Sequence, residues 1–251
     1  MSFPDSRILR RSSVVSKIAS LAAVIACFAL IEWVSSFHVL TRMLPLPPSL
    51  SIRLAWLFEH QIWQFGIGMF AITVLSRGHL WSYGINSSEI RLSMSILLKF
   101  YAGASVVIAT LIVAPMFVTG KLPEYCEHLG RVDMIVWILF QWMAVAVADE
   151  ILYHGLFQTL LLKYWREKFV VKSFELPLVI LVTSVAFAAG RTNVPVYGGH
   201  AIEYVLAFCI ALYGGIVYNR TRSLLTPMLS QAFFYGLPFV IRFAYLFFTP
   251  R

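Results

Sequence analysis

Asp149-Glu150-Ile151-Leu152-Tyr153-His154-Gly155 places two adjacent carboxylates inside an apolar run, between Ala144-Val145-Ala146-Val147-Ala148 and Leu156-Phe157-Gln158-Thr159-Leu160. An isolated charge in such surroundings costs several kcal/mol unless it is paired or neutralised. Acids that persist there mark a functional site by default. Glu150 and His154 are four apart, so on a helix they share a face and pair as carboxylate and imidazole. Asp149 lies about 100° further round and needs a partner from another helix.

The rest of the chain says what kind of helix this is. Hydrophobic residues make up 59 % of the 251 and charged residues 13 %, against about 45–50 % and about 25 % in soluble domains. Several apolar runs approach the ~20 residues that span a bilayer, and the ~10-residue alternation of an outer-membrane barrel is absent. The expected fold class is all-α, a polytopic transmembrane helical bundle of about seven spans: 18–39, 54–75, 93–118, 134–162, 176–190, 201–218 and 224–248. The fourth exceeds one membrane thickness, which predicts a tilted helix or a break near Gly155. Pro45, Pro47 and Pro48 end the first connection. Asn86-Ser87-Ser88-Glu89 reads as a helix start, with Asn86 or a serine capping and Glu89 closing the box. Residues 163–175 read as a basic connector. The division is a basic tail, 1–17, N-terminal spans, 18–130, and a C-terminal core, 131–248.

The net charge of +8 does not indicate nucleic acid, because the cations sit in the tail and short loops, where they set topology and meet anionic headgroups. With the N-terminus cytoplasmic, that side carries twelve: Arg7, Arg10, Arg11, Lys17, Arg77, Arg91, Lys163, Arg166, Lys168, Lys172, Arg220 and Arg222. The other carries six: Arg42, Arg53, Lys121, Arg131, Arg191 and Arg251. The excess places the N-terminus inside and the C-terminus outside, in a plasma (inner) membrane. Cys27 and Cys209 read as small buried hydrophobes, and the Glu124, Cys126, His128 spacing fits no common metal site. No cofactor is called for. Glu59, His60, Gln61 and Gln64 read as interhelical hydrogen-bonding residues, with Glu59 close to the headgroups. A proton path through Glu59, His60 and Asp149, as in a small transporter, lacks the internal repeat that usually accompanies it.

In frame and spacing, residues 134–240 resemble the CAAX-protease and bacteriocin-processing (Abi) family of intramembrane proteases. The first family motif, two glutamates followed three residues later by an arginine and usually a glycine, is similar to Asp149-Glu150 through His154-Gly155. The second, a phenylalanine with a histidine four residues on, is similar to Phe187 to Arg191. The third, a histidine with an asparagine four residues on, is similar to Gln231 to Tyr235, after the small-residue helix around Gly214-Gly215.

The resemblance implies a catalytic site at Asp149, Glu150, His154, Arg191, Gln231 and Tyr235, in which the first carboxylate activates water. Of those six positions only Glu150 keeps the family residue. Arg191 can stabilise negative charge but cannot accept a proton, and Gln231 cannot shuttle one. Shortening the first glutamate to Asp149 moves its carboxylate by about an ångström, an error that costs ~100-fold in rate. The expectation is a pseudoprotease whose acids are neutralised by Arg191, His154 and amide neighbours. It would serve as a non-proteolytic binding subunit, assembly factor or scaffold for a membrane-protein partner or a lipid- or isoprenoid-like ligand. The alternative is an active endopeptidase with a non-standard constellation around Asp149 and Glu150, for which His200 and Glu203 are the nearest rescuing residues.

Overall fold

The computed structural model describes residues 14–37, 52–86, 90–114, 118, 131–171, 174–190 and 200–248. The basic tail up to residue 13, the Pro45–Pro48 loop, Ser87 to Glu89, the Glu124, Cys126, His128 trio and Arg191 lie outside them, as do the side chains of His200 and Glu203.

Seven helical stretches make up the bundle among the described residues. They are α1 (Val14–Ser35), α2 (Ile52–Ser76), α3 (Ile90–Ile108, running on as the π-turn Ala109–Val113), α4 (131–162), α5 (Leu178–Gly190), α6 (His200–Thr221) and α7 (Leu225–Phe248). Three of these stretches are long and apolar enough to cross a membrane, at Val14–Ser35, Arg91–Leu111 and Ile138–Leu162. Burial separates them: 83 % of the α4 span is buried inside the bundle, against 11 % for α1 and 17 % for α3. The acidic helix is thus the central post, and α1 and α3 present most of their surface outward, as lipid-facing helices do.

Two apolar clusters meet along α4. One gathers its second half with α1, α2, α5 and α6, around Ile31, Ile72, Leu152, Phe157, Phe187 and Tyr218. The other gathers its first half with α3, α6 and α7, around Ile108, Phe140, Phe234, Tyr235 and Phe239.

The structure differs from the sequence reading in two places. No break occurs at Gly155. The helix runs through it, and the extra turn width is taken up by π-turns at Gln141–Val145 and Ile151–Gln158. Gly155 serves packing instead: a Cβ there would lie 3.1 Å from Leu224 Cδ1 and 3.4 Å from the Tyr83 carbonyl. The basic connector is not irregular throughout, because β1 (Lys168–Val171) and β2 (Phe174–Pro177) form an antiparallel hairpin that leads directly into α5. The cap expected of Asn86 or a serine falls on Ser87 to Glu89, outside the described residues, and Asn86 also makes contacts elsewhere. Its Nδ2 donates to the carbonyls of Trp81 and Arg222, at 3.2 and 2.8 Å.

That last contact belongs to a set that joins the basic segments at one end of the bundle. Ser223 Oγ donates to the Asn86 carbonyl at 2.9 Å, and Leu224 N to the Gly84 carbonyl at 2.9 Å. Lys163 Nζ donates to Tyr83 Oη at 2.8 Å, and Trp165 Nε1 to the Lys17 carbonyl at 3.3 Å. The start of α1, the α2–α3 connection, the connector after α4 and the α6–α7 turn therefore share an end, as alternate crossings require.

Arg222 ends α6 in the left-handed region, at φ 52°, with its N–H donating to the Tyr218 carbonyl at 2.8 Å. A non-glycine residue there carries about 1–2 kcal/mol of strain. Arg222→Gly removes it, and the variant is expected to gain up to ~1 kcal/mol in detergent unfolding, reduced by glycine's larger unfolded-state entropy.

Candidate functional site

α4 sets the carboxylates where three helices converge. Asp149 is 3 % exposed, Glu150 1 % and His154 0 %. Two of the partners of Asp149 are amides. Gln64 Nε2 of α2 donates to Oδ1 at 2.7 Å, and Gln231 Nε2 of α7 donates to Oδ2 at 2.6 Å. Hydrogen bonds from neutral donors to an anion are short and strong, and each stabilises the charge without cancelling it. Gln231, the residue that the sequence resemblance aligns with a motif histidine, thus binds the carboxylate directly.

Glu150 and His154 face a different helix. Gln158 fixes the ring: its Nε2 donates to the Gly215 carbonyl at 3.0 Å, which leaves Oε1 to accept from His154 Nδ1 at 2.8 Å. That assignment puts a proton on Nδ1 and turns Nε2 toward Glu150 Oε2, 3.6 Å away. The separation is just beyond hydrogen-bond length. The arrangement is a carboxylate, an imidazole and an orienting amide in series, the order in which a general base is held.

The π-turns and glycines account for this geometry. Thr159 Oγ1 reaches back to the His154 carbonyl at 3.3 Å, five residues earlier, and meets Tyr218 Oη at 2.6 Å. Such turns recur at functional sites because they rotate side chains away from the α-helical register. Gly214 and Gly215 then let α6 approach: a Cβ on Gly214 would lie 3.0 Å from His154 Nε2, and one on Gly215 3.0 Å from Gln158 Oε1 and 2.7 Å from Ile180 Cγ2.

Of the other motif positions, Phe187 is fully buried with its ring 5.1 Å edge-on from Tyr153, and Tyr235 is buried in the α3–α4–α7 cluster. Glu59, read as close to the headgroups, is 1 % exposed, with Trp63 Nε1 donating to it at 3.4 Å. His60 sits between α1 and α2, with Nδ1 3.2 Å from Ser35 Oγ and Nε2 3.9 Å from Glu32 Oε1. No cluster of three His, Cys, Asp or Glu able to hold a metal occurs among the described residues.

Sequence reasoning did not assign Gln64 or Gln158 to the site. Gln158 carried a visible signal, four residues after His154 on the same helix. Gln64 carried only its polarity within an apolar span.

Residues 131–237 match the model of the family described as type II CAAX prenyl endopeptidase Rce1-like. No curated protein and no solved structure matches the chain.

Proposed function

We propose that this integral membrane protein, whose residues 131–237 match the Rce1-like family of type II CAAX prenyl endopeptidases, keeps the frame of that protease without its hydrolysis. In this reading it is a binding or assembly subunit for another membrane protein or a lipid- or isoprenoid-like ligand, built as a tail (1–17), supporting spans (18–130) and core (131–248). The observation that carries it is the Asp149 carboxylate, both of whose oxygens accept short hydrogen bonds from the amides of Gln64 and Gln231. A base that activates water needs a lone pair aimed at that water and a partner that relays the proton, and neither amide relays one. Arg191, at the second-motif position, fits the same reading as an unchanging cation.

One observation favours the other reading, an endopeptidase of non-standard constellation. Glu150, His154 and Gln158 retain a carboxylate, an imidazole and an orienting amide in order.

The two readings part on one experiment. Purified protein in lipid nanodiscs is given a prenylated C-terminal CAAX reporter, beside the Asp149→Asn/Glu150→Gln variant. The expected result is no cleavage above that variant's background, together with a fall in the variant's steady-state level or in its complex with a partner. Cleavage at least ~100-fold above the variant's, at equal protein level, would establish the endopeptidase instead.

We propose a plasma (inner) membrane location with the joined basic end cytoplasmic. It rests on the excess of cations there, among them Lys17, Arg77, Lys163, Arg166, Lys168, Arg220 and Arg222.

A further inference from the structure

The β1–β2 hairpin has a surface that the site does not use. Successive residues of a strand point to opposite faces, and in a hairpin surrounded by water at least one face is polar. Phe169 and Val170 are consecutive, so they lie on opposite faces, and they are 58 % and 61 % exposed. Both faces of β1 therefore present apolar surface, which a wholly aqueous hairpin would not favour.

Three observations place this surface at the edge of the bilayer. The hairpin continues into α5 without a loop, since Pro177 ends β2 and Leu178 begins the helix, and Leu178 N donates to the Glu167 carbonyl at 2.9 Å. The hairpin thus abuts the first residue of an apolar helix of 13 residues. Trp165, three residues before β1, donates from Nε1 to the Lys17 carbonyl and to Ser20 Oγ, each at 3.3 Å. This ties the hairpin to the outward-facing start of α1, where Val14, Val15 and Ile18 are exposed. Tryptophan is enriched at the level of the headgroups, where its N–H finds a polar partner and its ring an apolar one.

The third observation is charge. Lys168 pairs with Glu175 across the hairpin, and Lys17 pairs with Glu167 beside it. The Lys17 ammonium hydrogen-bonded to Glu167 holds that carboxyl below its ordinary range, so at neutral pH this acid is ionised and its charge is met within the protein. Both acids of the connector are thereby matched. Lys163, Arg166 and Lys172 remain as its excess positive charge.

We infer that the 168–177 hairpin is an interfacial element, immersed by Phe169 and Val170 in the headgroup layer of the membrane the protein spans, and that the excess cations of residues 163–175 select anionic headgroups. Burying both side chains supplies the affinity, and each cation near an anionic leaflet adds to it.

The test uses a nitroxide at position 170, through Val170→Cys with Cys27, Cys126 and Cys209 changed to Ser, and the same label at 169 in a second variant. Each is placed in nanodiscs of zwitterionic lipid and of lipid containing phosphatidylglycerol. The expected result is that oxygen relaxes both labels several-fold more effectively than a water-soluble nickel chelate in the anionic discs. The preference should shrink in zwitterionic discs, and in anionic discs when Arg166→Gln and Lys172→Gln are added. A nickel-dominated signal in both lipids overturns the proposal, and leaves the apolar strand as a contact for a protein in the aqueous phase. An oxygen-dominated signal that is indifferent to lipid charge overturns the selection of anionic headgroups. Should one label perturb folding, seen as a shifted unfolding midpoint, the other still decides.

Discussion

The Gln64→Leu/Gln231→Leu double variant is expected to lose about 3–5 kcal/mol of stability, the range seen when a buried charge loses its partners. The two amides come from different helices, α2 and α7, and converge on opposite oxygens of Asp149. Each hydrogen bond to a charged group is worth about 1.5–3 kcal/mol, so either single variant should cost about that much. A weaker scale also exists, since hydrogen bonds between membrane helices average only ~0.6 kcal/mol. The larger figure applies here because the acceptor is a carboxylate that is 3 % exposed. The deciding control is the same pair with Asp149→Leu added. Replacing a whole buried polar group by apolar side chains is often neutral, so the triple variant should recover most of the loss. Unfolding midpoints in mild detergent read all four proteins. If the double variant matched the parent, the amides would not be what holds Asp149. If the triple variant were worse than the double, Asp149 would have a structural role beyond these two bonds.

The fold and the site were legible in the sequence to different depths. The helices were readable because lipid leaves a span little freedom: its backbone must satisfy itself, so an apolar run of sufficient length is a helix. That logic placed α7, read as 224–248, against an observed Leu225–Phe248. It failed where the signal was not hydropathy. The hairpin was missed because β1 and β2 have only four residues each and lie in a stretch dominated by lysine and arginine. The π-turns around Glu150 leave no mark on an apolar pattern. The length of the fourth span leaves a tilted helix or a break near Gly155 open, and a sequence does not show that this glycine instead admits Leu224 and the Tyr83 carbonyl to the helix surface.

The site shows the same division. Glu150 facing His154 followed from their spacing alone, and the two stand 3.6 Å apart. Asp149 was seen to need a partner elsewhere, yet nothing local could say that Gln64, more than eighty residues earlier, is one. Interhelical contacts carry no periodic signature. Arg191, expected to neutralise the acids, lies outside the described residues.

Gly215→Val is expected to be the most disruptive single change near the site. The first atom of the new side chain would stand 2.7 Å from Ile180 Cγ2, 3.0 Å from Gln158 Oε1 and 3.3 Å from His154 Cε1. None of these neighbours can easily retreat: Gln158 is fixed at both ends, by His154 Nδ1 and the Gly215 carbonyl, and Ile180 is 1 % exposed. Overpacking of that kind costs about 1–3 kcal/mol. Separating α6 from α4 also breaks the hydrogen bond between Gln158 Nε2 and the Gly215 carbonyl, a further ~1 kcal/mol. Gly214→Ala offers a milder comparison, because its Cβ would meet His154 Nε2 at 3.0 Å, within reach of a small shift. The expected order of unfolding midpoints is parent, then Gly214→Ala, then Gly215→Val. The pairing with function is sharper still. If His154 and Glu150 only brace the bundle, both variants should lose complex or ligand in proportion to lost stability. If they form a working base, Gly214→Ala should lose activity far more than stability, because it displaces the imidazole nitrogen that faces Glu150.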